Sequence, residues 1–563
     1  MSDLNPMLFV DSYKLHHKPM YPNGMVKLYS NGTPRASRMP GVKEVVVFTM
    51  QHTIREYLIE KFNKNFFMTE ERERCLNQSW ALEALKGKMV ADYKRHCPVD
   101  TKHIEDLWDL GYLPIEIKAL EEGTLCPIGV PVFTITNTHP SFAWLVNYLE
   151  TLISCCIWQG MTSATITHEY KKILTKHALE SDEENVEFVN WQAHDFSMRG
   201  MSSVESAITS GMGHLLSVTG SDNIPAIYQL EKSYSGSGLI GASIPATEHS
   251  VMCMGNKENE VDTFRRLLTL YPEGNLAIVS DTWDLWDVAE FYLPVLRDLI
   301  MSRNGKLVIR PDSGNPADIL CGLDYEEIDH RDEVYLIDDP KVVYVRNEDA
   351  FFRVKKIEKS GTFDYVYSEV REAEVKGLVQ LLWDAFAGTT NTQGYKVLDS
   401  HIGAIYGDSI TLARAEEICT RLRENGFAST NVVLGIGSYT YQYNTRDTFG
   451  FAIKATYGEV MSSDGTCTCE NTSSCECGKI DRREIYKDPI TDDGTKKSKR
   501  GLLRVDMEDG KIVCYESQTP FEETQGLLQT VFKDGKLYNQ TTLERIREKL
   551  KSQFHVEPAG SGR

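Results

Sequence analysis

Short apolar runs rich in β-branched residues, set apart by much longer helical stretches, constrain this chain more than any other feature. They read EVVVFTM (44–50), PVFTIT (131–136), LAIVSD (276–281), KLVIRPD (306–312), HIGAIYGD (401–408) and NVVLGIG (431–437). Apolar strands alternating with helices predict a mixed α/β fold with a parallel sheet or barrel. Several of the runs end in Asp or Gly, and in such folds ligands gather at the carboxyl ends of the strands. The spacing predicts helices over 51–63, 77–95, 143–157, 164–180, 202–216, 260–270, 371–386, 411–425 and 542–552, with a Ser cap and Glu205 at the start of 202–216.

With 563 residues the chain is too long for one ordinary core, and length predicts two to four domains of roughly 100–200 residues. It contains no apolar run of the ~18 residues a bilayer requires, and MSDLNPMLFVDSYK lacks the basic-then-apolar pattern of a secretory signal. No membrane partner is expected. The terminal EPAGSGR is small and polar and is left out of the fold argument. Thirteen cysteines without a signal sequence predict reduced thiols and a cytoplasmic setting. A net charge of −20 argues against a nucleic-acid partner, whose binding would rest on phosphate neutralisation. A few arginines in a cleft can still focus a positive field on a small anion.

Two segments look inserted. Residues 321–370 are charged, carry the hairpin-like runs VVYVRN, FFRVKKI and FDYVYSEV, and interrupt the strand–helix rhythm. Residues 458–483 are polar and contain Cys467, Cys469, Cys475 and Cys477. Both are expected on the surface, where long insertions cost little.

Chemistry concentrates in a few strand-to-loop runs. HDFSMRG (194–200) sets a Phe and an Arg beside a His–Asp pair. IPATEHS (244–250) puts Glu248 next to His249. SDTWDLW (280–286) carries Asp281 and Asp284, three apart as on one helical face. IRPDSGNP (309–316) ends a strand in Arg310 and Asp312; YGDS (406–409) and GIGSY (435–439) follow. Each alone has an ordinary structural reading: an Arg–Asp salt bridge, a helix cap, a common Gly turn. Together they bring Arg, Asp, Gly and His to several strand ends, the chemistry that holds a phosphorylated ribose.

These runs, with DSYK (11–14), GYLPIEIKAL (111–120), TGSDN (219–223), TRD (445–447), KDP (487–489), KKSKRG (496–501) and LLQTVFKDGK (527–536), resemble the nicotinamide phosphoribosyltransferase family within the wider nicotinate/nicotinamide phosphoribosyltransferase group. The matches keep the family's order and span nearly the whole chain outside the two insertions. The resemblance implies a central α/β barrel-like domain (161–444, with 321–370 inserted) and a β-rich α+β domain built from both ends of the chain (1–160 with 445–555, with 458–483 inserted). It also implies a homodimer with active sites at the interface. The reaction it implies joins nicotinamide to phosphoribosyl pyrophosphate (PRPP), with Mg²⁺ as cofactor and ATP as co-substrate, in NAD salvage.

Residue by residue, the resemblance sets the nicotinamide ring among Phe196, Arg310 and the partner's Tyr13, with Asp222 and Ser243 on the carboxamide. A carboxylate at 222 favours the amide over the acid. Asp312, Gly407, Asp408, Gly437 and Ser438 match the ribose and phosphate contacts. The pyrophosphate matches Arg199 and Arg310, with Arg35, Arg446, Lys454, Lys487 and Lys496 reaching across from the partner. Asp281 matches a Mg²⁺ site, directly or through water. His249 matches a histidine phosphorylated by ATP and oriented by Glu248 and Asp281; the alternative is a histidine that only bonds pyrophosphate. The chain departs from the family in its phosphate loop, where Ile436, Ser438 and Tyr439 replace a glycine-richer stretch, and at Ser409, which stands for a glycine.

The four cysteines lie outside the resemblance. Four thiolates within eleven residues can hold one structural Zn²⁺, but C-x-C-x5-C-x-C is not the usual C-x2-C spacing. A Ser/Thr-rich surface loop with reduced thiols is the other reading. Competing functions are a nicotinate phosphoribosyltransferase, a nucleotide-binding protein without turnover, and an enzyme using another PRPP acceptor. The presence of Arg310, Asp312, His249, TGSDN and Phe196 weighs against the last two.

Overall fold

The computed structural model describes residues 4–359, 362–407, 409–461, 480–487, 490–491 and 498–556. Four of the six apolar runs become neighbours in one parallel sheet. Its order is Ala193–Asp195, Val432–Ile436, Ile402–Tyr406, Leu307–Arg310, Leu276–Val279, and every pairing is parallel. Isolated parallel bridges Asp195↔Ser221, Gly220↔Ala242 and Ala246↔Ala277 carry the ladder through two further short segments and back to the strand Leu276–Val279. The ladder therefore closes on itself, which removes the exposed edges an open sheet would present.

Alternation along these strands sorts the side chains. Ile278, Ile309, Ala404 and Leu434 pack outward with Leu320, Leu382, Ile418 and other helical residues. Ala277, Val308, Ile405 and Val433 form a separate cluster with Ile244 and Phe196, inside the ring. Arg310, two residues beyond Val308, and Gly407, two beyond Ile405, continue the inner set at the carboxyl rim.

The other two runs lie elsewhere. EVVVFTM supplies the short strand Glu44–Val46, paired with Leu125–Pro127. PVFTIT supplies Phe133–Asn137, which belongs to a seven-stranded sheet with Met25–Pro34 and Ile115–Ala119 from the first third of the chain and Phe451–Met461, Ile480–Glu484, Gln529–Lys533 and Lys536–Leu537 from the last. Each pairing in it is antiparallel. Phe62, Phe66, Phe133, Ile135 and Leu145 form its buried core.

The helices expected at 143–157 and 164–180 largely merge into a single element. Helix Glu150–Ser181 runs unbroken through 160/161, so no linker stands at that expected domain boundary. A Cβ on Gly160 would lie 2.2 Å from Thr49 Cγ2, so the small residue lets the helix approach the chain at Thr49. Ile224–Tyr234, not expected as a helix, is one, capped by Asn223 with proline at its start. The C-terminal helix Leu543–Ser552 packs Leu543, Ile546 and Leu550 against Leu215, Leu230 and Tyr234 of the barrel's flanking helices.

Within 321–370 the hairpin-like runs form a four-stranded sheet, Thr362–Val370, Ala350–Lys359, Val342–Val345 and Glu326–Ile328. It has a small core of its own around Val334, Val343, Phe352 and Val354. It returns to the barrel at Arg371, whose guanidinium spans Asp284 and Asp287, 2.9 Å from each. The ends of 458–483 belong to strands Phe451–Met461 and Ile480–Glu484. Cys467, Cys469, Cys475 and Cys477 lie outside the described residues.

Candidate active site

The strand Ala193–Asp195 delivers Phe196 to the rim, and Leu307–Arg310 delivers Arg310 beside it. The guanidinium carbon of Arg310 lies 4.8 Å from the Phe196 ring centroid, a cation–π stack in a largely buried setting. His194, inward-facing like Phe196, packs its ring 4.6 Å from the same phenyl group. Arg310 Nη2 also lies 3.6 Å from Asp312 Oδ2.

Asp222 follows the bridged segment 220–221. Its Oδ1 lies 3.0 Å from His194 Nε2 and accepts a hydrogen bond from the Ser243 hydroxyl. Burial pushes the Asp222 carboxyl up, but the bonds from His194 and Ser243 and the nearby positive charge outweigh it and hold the group below the usual carboxylate range. The site thus presents a fixed negative charge next to an aromatic–guanidinium platform. The residues expected on the base, Phe196, Arg310, Asp222 and Ser243, are brought together, and His194 joins them. Sequence reasoning gave His194 no role, although its place two residues before Phe196 on one strand was the available signal.

Two glycines make the close approach possible. A Cβ on Gly407 would lie 2.0 Å from Asp312 Oδ1 and 2.7 Å from Arg310 Nε. A Cβ on Gly435 would lie 2.6 Å from the Tyr406 carbonyl and 2.9 Å from Phe196 Cδ2. In the following loop, Gly437 precedes Ser438, the first residue of helix Ser438–Gln442, and Ser438 sits so close to Gly200 that a Cβ there would lie 2.1 Å from its hydroxyl. Tyr439 is half exposed and stacks on Tyr443 at 4.6 Å. Ser409 has φ +53°, the left-handed region that suits glycine; Arg414 bonds both its carbonyl and its hydroxyl. Arg199 is exposed on the turn Met198–Gly200. Asp408 lies outside the described residues.

Asp281 and Asp284 do not share a helical face, because the strand ends before 281 and the helix begins after 284. Asp284 caps the short helix Leu285–Asp287 through Trp286 N and Asp287 N. Asp281 Oδ2 accepts from Asp312 N (2.8 Å), Ser313 N (2.7 Å) and Ser313 Oγ (2.6 Å), which ties two strand ends together. Its Oδ1 lies 3.4 Å from His249 Nε2. His249 opens the helix His249–Cys253 with its ring about half exposed. Glu248, expected to help orient that ring, accepts instead from the Ser250 hydroxyl; among the described residues Asp281 is the one carboxylate paired with the imidazole. The reason is local: Glu248 is the extended residue before the helix, and the next helical hydroxyl is within its reach.

The residues expected to act across an interface are on this chain's surface. Tyr13 is 61% exposed; burial and then the charges of Asp11 and Glu150 push its hydroxyl up, with Arg446 opposing. Arg35 bonds the Gly450 carbonyl, opposite the start of the strand that carries Lys454. Arg446, Lys454 and Lys487 are exposed. Among the described residues none of these makes a hydrogen bond, ion pair or ring contact with Phe196, Arg310 or Asp222 of its own chain. Lys496 lies outside the described residues. Among the described residues, no group of three His, Cys, Asp or Glu side chains is arranged to hold a metal. No single helix among them is long and apolar enough to cross a membrane.

Comparison with known proteins agrees with this geometry. A nicotinamide phosphoribosyltransferase of Acinetobacter baylyi is 42% identical over 98% of this chain and 98% of its own length. One from Mycoplasma pneumoniae is 34% identical over 80% of this chain and 89% of its own. The crystal structure of a nicotinate-nucleotide pyrophosphorylase from Pyrococcus furiosus shares the fold, with a TM-score of 0.50 at 12% identity, covering 98% of this chain and 95% of that one. The model of the nicotinate phosphoribosyltransferase (NAPRTase) family matches residues 191–536, which include the closed parallel ladder and each strand end described above. On that match and on the two relatives, the chain belongs to the nicotinate phosphoribosyltransferase family.

Proposed function

We propose that this chain is a nicotinamide phosphoribosyltransferase of NAD salvage, a pentosyltransferase that converts nicotinamide and PRPP to nicotinamide mononucleotide and pyrophosphate. The observation that carries the reading is the ionised Asp222 carboxylate beside the Phe196–Arg310 stack. Both hydrogen bonds to Asp222 fall on Oδ1, which leaves Oδ2 to accept from a carboxamide NH2. A hydrogen bond to a charged group contributes about 1.5–3 kcal/mol, and a nicotinate carboxylate at the same place would lose it and meet a like charge. The name carried by relatives at 42% and 34% identity supports the same substrate.

In this reading Phe196 and Arg310 hold the flat ring, together with Tyr13 of the partner subunit. Asp312 takes the ribose hydroxyls, and the Gly435–Ser438 loop takes the 5′-phosphate through backbone N–H groups. Arg199 and Arg310 face the pyrophosphate, joined by Arg35, Arg446, Lys454, Lys487 and Lys496 of the partner subunit. The pyridine nitrogen forms its bond to the anomeric carbon as the bond to pyrophosphate oxygen breaks, and the electron pair leaves with pyrophosphate. The protein contributes alignment and charge stabilisation; no side-chain nucleophile is involved.

Mg²⁺ suits this site. Asp281 Oδ1 and Asp312 Oδ1 are buried carboxylate oxygens without a hydrogen-bond partner, and Mg²⁺ takes one or two carboxylates together with substrate oxygens. Asp281 would hold the ion directly or through water, and the bound ion would neutralise leaving-group charge. ATP acts through His249. Asp281 facing Nε2 leaves Nδ1 to attack the γ-phosphorus; an N–P bond forms, the bond to the bridging oxygen breaks, and ADP departs. Carboxylate support of the imidazole is the usual activation of a nucleophilic histidine.

The test is a product assay with nicotinamide or nicotinate, PRPP and Mg²⁺, with and without ATP. Nicotinamide mononucleotide should form, faster with ATP, and nicotinate should be a poor substrate. Preferred turnover of the acid would overturn the substrate assignment. Label from γ-labelled ATP should stay on the wild type and be absent from His249→Ala; an unlabelled wild type at saturating ATP removes the phosphohistidine.

A further inference from the structure

The barrel's opposite rim carries a second cavity, of about 400 Å³. His168 and Lys171 reach it from helix Glu150–Ser181, Arg547 and Lys551 from the C-terminal region, and Phe554 closes one wall. Asn190 and Thr219, also in its lining, precede the segments whose far ends hold Phe196 and Asp222. The cavity therefore lies at the amino ends of the strands, away from the site above.

Its charge is uncompensated. Lys171, Arg547 and Lys551 line it with one acid, Glu187, in a chain of net charge −20. Among the described residues none of the three cations forms an ion pair. Lys171 Nζ donates to the Ser217 carbonyl (2.7 Å) and Asn190 Oδ1 (3.1 Å). Arg547 donates to the carbonyls of Leu215, Leu239 and Ile240. Glu187 Oε2 is engaged by Asn190 Nδ2 at 3.0 Å. Burial lowers Lys171 to about 8, with Glu187 opposing and Arg547 and Lys551 adding to the fall.

His168 supplies an independent sign. It is 2% exposed, and its Nε2 is buried without a hydrogen-bond partner, an arrangement native proteins rarely leave unexplained. Burial and the adjacent Lys172 and Lys171 push its pKa down to about 3, so it is neutral and can present an N–H to an acceptor. Its ring meets Phe554 edge-on at 5.5 Å, and Lys171 Nζ lies 6.0 Å from the same ring.

We propose that this cavity binds a phosphate group, held by Lys171, Lys551 and His168, and that the phosphate belongs to a sugar monoester whose ring C–H face lies on Phe554. Cations without carboxylate partners and an unpaired ring nitrogen suit an acceptor-only anion. A volume of about 400 Å³ falls within the range of small-molecule pockets and exceeds what orthophosphate fills. Arg547, committed to three carbonyls, contributes charge rather than contact.

Ribose 5-phosphate and orthophosphate would be titrated calorimetrically into the wild type, Lys551→Glu and Lys171→Met, with thermal melts as the folding control. The wild type should bind ribose 5-phosphate in two classes, one of them the catalytic site. Lys551→Glu, a change at an exposed residue outside the catalytic machinery, should weaken the other class about tenfold or more and leave turnover unchanged. Lys171→Met should do the same if its melt is intact. Orthophosphate binding as tightly as the ester would assign the site to inorganic phosphate and overturn the monoester assignment. Titrations of both ligands indistinguishable between the wild type and Lys551→Glu would overturn the site itself.

Discussion

Gly407→Ala adds one methyl group at a crowded point of the candidate site. The new Cβ would lie 2.0 Å from Asp312 Oδ1, 3.1 Å from Asp312 Cγ and 2.7 Å from Arg310 Nε, and the shortest of these is a separation no real Cβ tolerates. Gly407 is not among the residues with positive φ, so alanine brings no backbone strain and the perturbation is purely steric. Something must move, and neither neighbour is free. The Asp312 carboxylate is ion-paired with Arg310 at 3.6 Å, and Arg310 is stacked on Phe196. A displacement on the order of 1 Å costs about 10²-fold in rate, near 2.7 kcal/mol of barrier. Overpacking adds a stability loss of about 1–3 kcal/mol, small enough to leave the protein folded. Steady-state kinetics with PRPP varied, beside circular dichroism and a thermal melt, should give kcat/KM down about 100-fold in a folded protein. An alanine variant within about threefold of wild type would refute the reasoning: Asp312 and Arg310 would then not be the groups that hold PRPP.

Three further outcomes follow from named contacts. Asp222→Asn keeps the shape and removes the charge, so nicotinate should become a competitor of nicotinamide, with discrimination falling about tenfold or more. Because the Asp222 pKa is depressed, its contribution is present above its ordinary pKa near ~4 and is lost only as pH falls through the lower, folded value; an amide preference that weakens between pH 8 and 6 would count against it. Arg310→Ala and Arg446→Ala proteins, each inactive alone, should regain about a quarter of wild-type activity when unfolded together and refolded, as random pairing into dimers with shared sites predicts; no recovery in dimers confirmed by light scattering would refute the shared site. Glu122 is fully buried and accepts from Gln51 N, and burial raises its pKa to about 7. Its stability contribution is fully present below about pH 4.5 and is lost as pH rises through 7, so Glu122→Gln should be the more stable protein at pH 8, by about 3 kcal/mol at most. Equal denaturant midpoints at pH 8 would show that the carboxyl is not strained.

The amino-acid sequence alone determined the class of fold and singled out most of the residues that the structure brings together at the candidate site. Strand runs such as KLVIRPD and HIGAIYGD are short continuous apolar segments bounded by turn residues, so their hydrophobic pattern announces them locally. Their terminal Arg310, Asp312 and Gly407 are read from the same few letters. His249, Asp281 and Phe196 were singled out because a family resemblance attaches roles to short motifs. What local pattern could not supply is pairing. The segments at 220–221 and 242–246 close the ladder through single bridges, too short for any periodicity to register. The expected helices 143–157 and 164–180 stop short of one another, whereas the structure runs one helix through the segment between them. Only the tertiary structure brought His194 onto Asp222, gave Asp281 its three donors from the neighbouring strand end, and gathered Lys171, Arg547 and His168 around one cavity. Each of these depends on residues far apart in sequence or on the packing around them. A contact of that kind is decided by the burial free energy of the whole core, which sets where the strands lie, and not by any preference of the residues themselves.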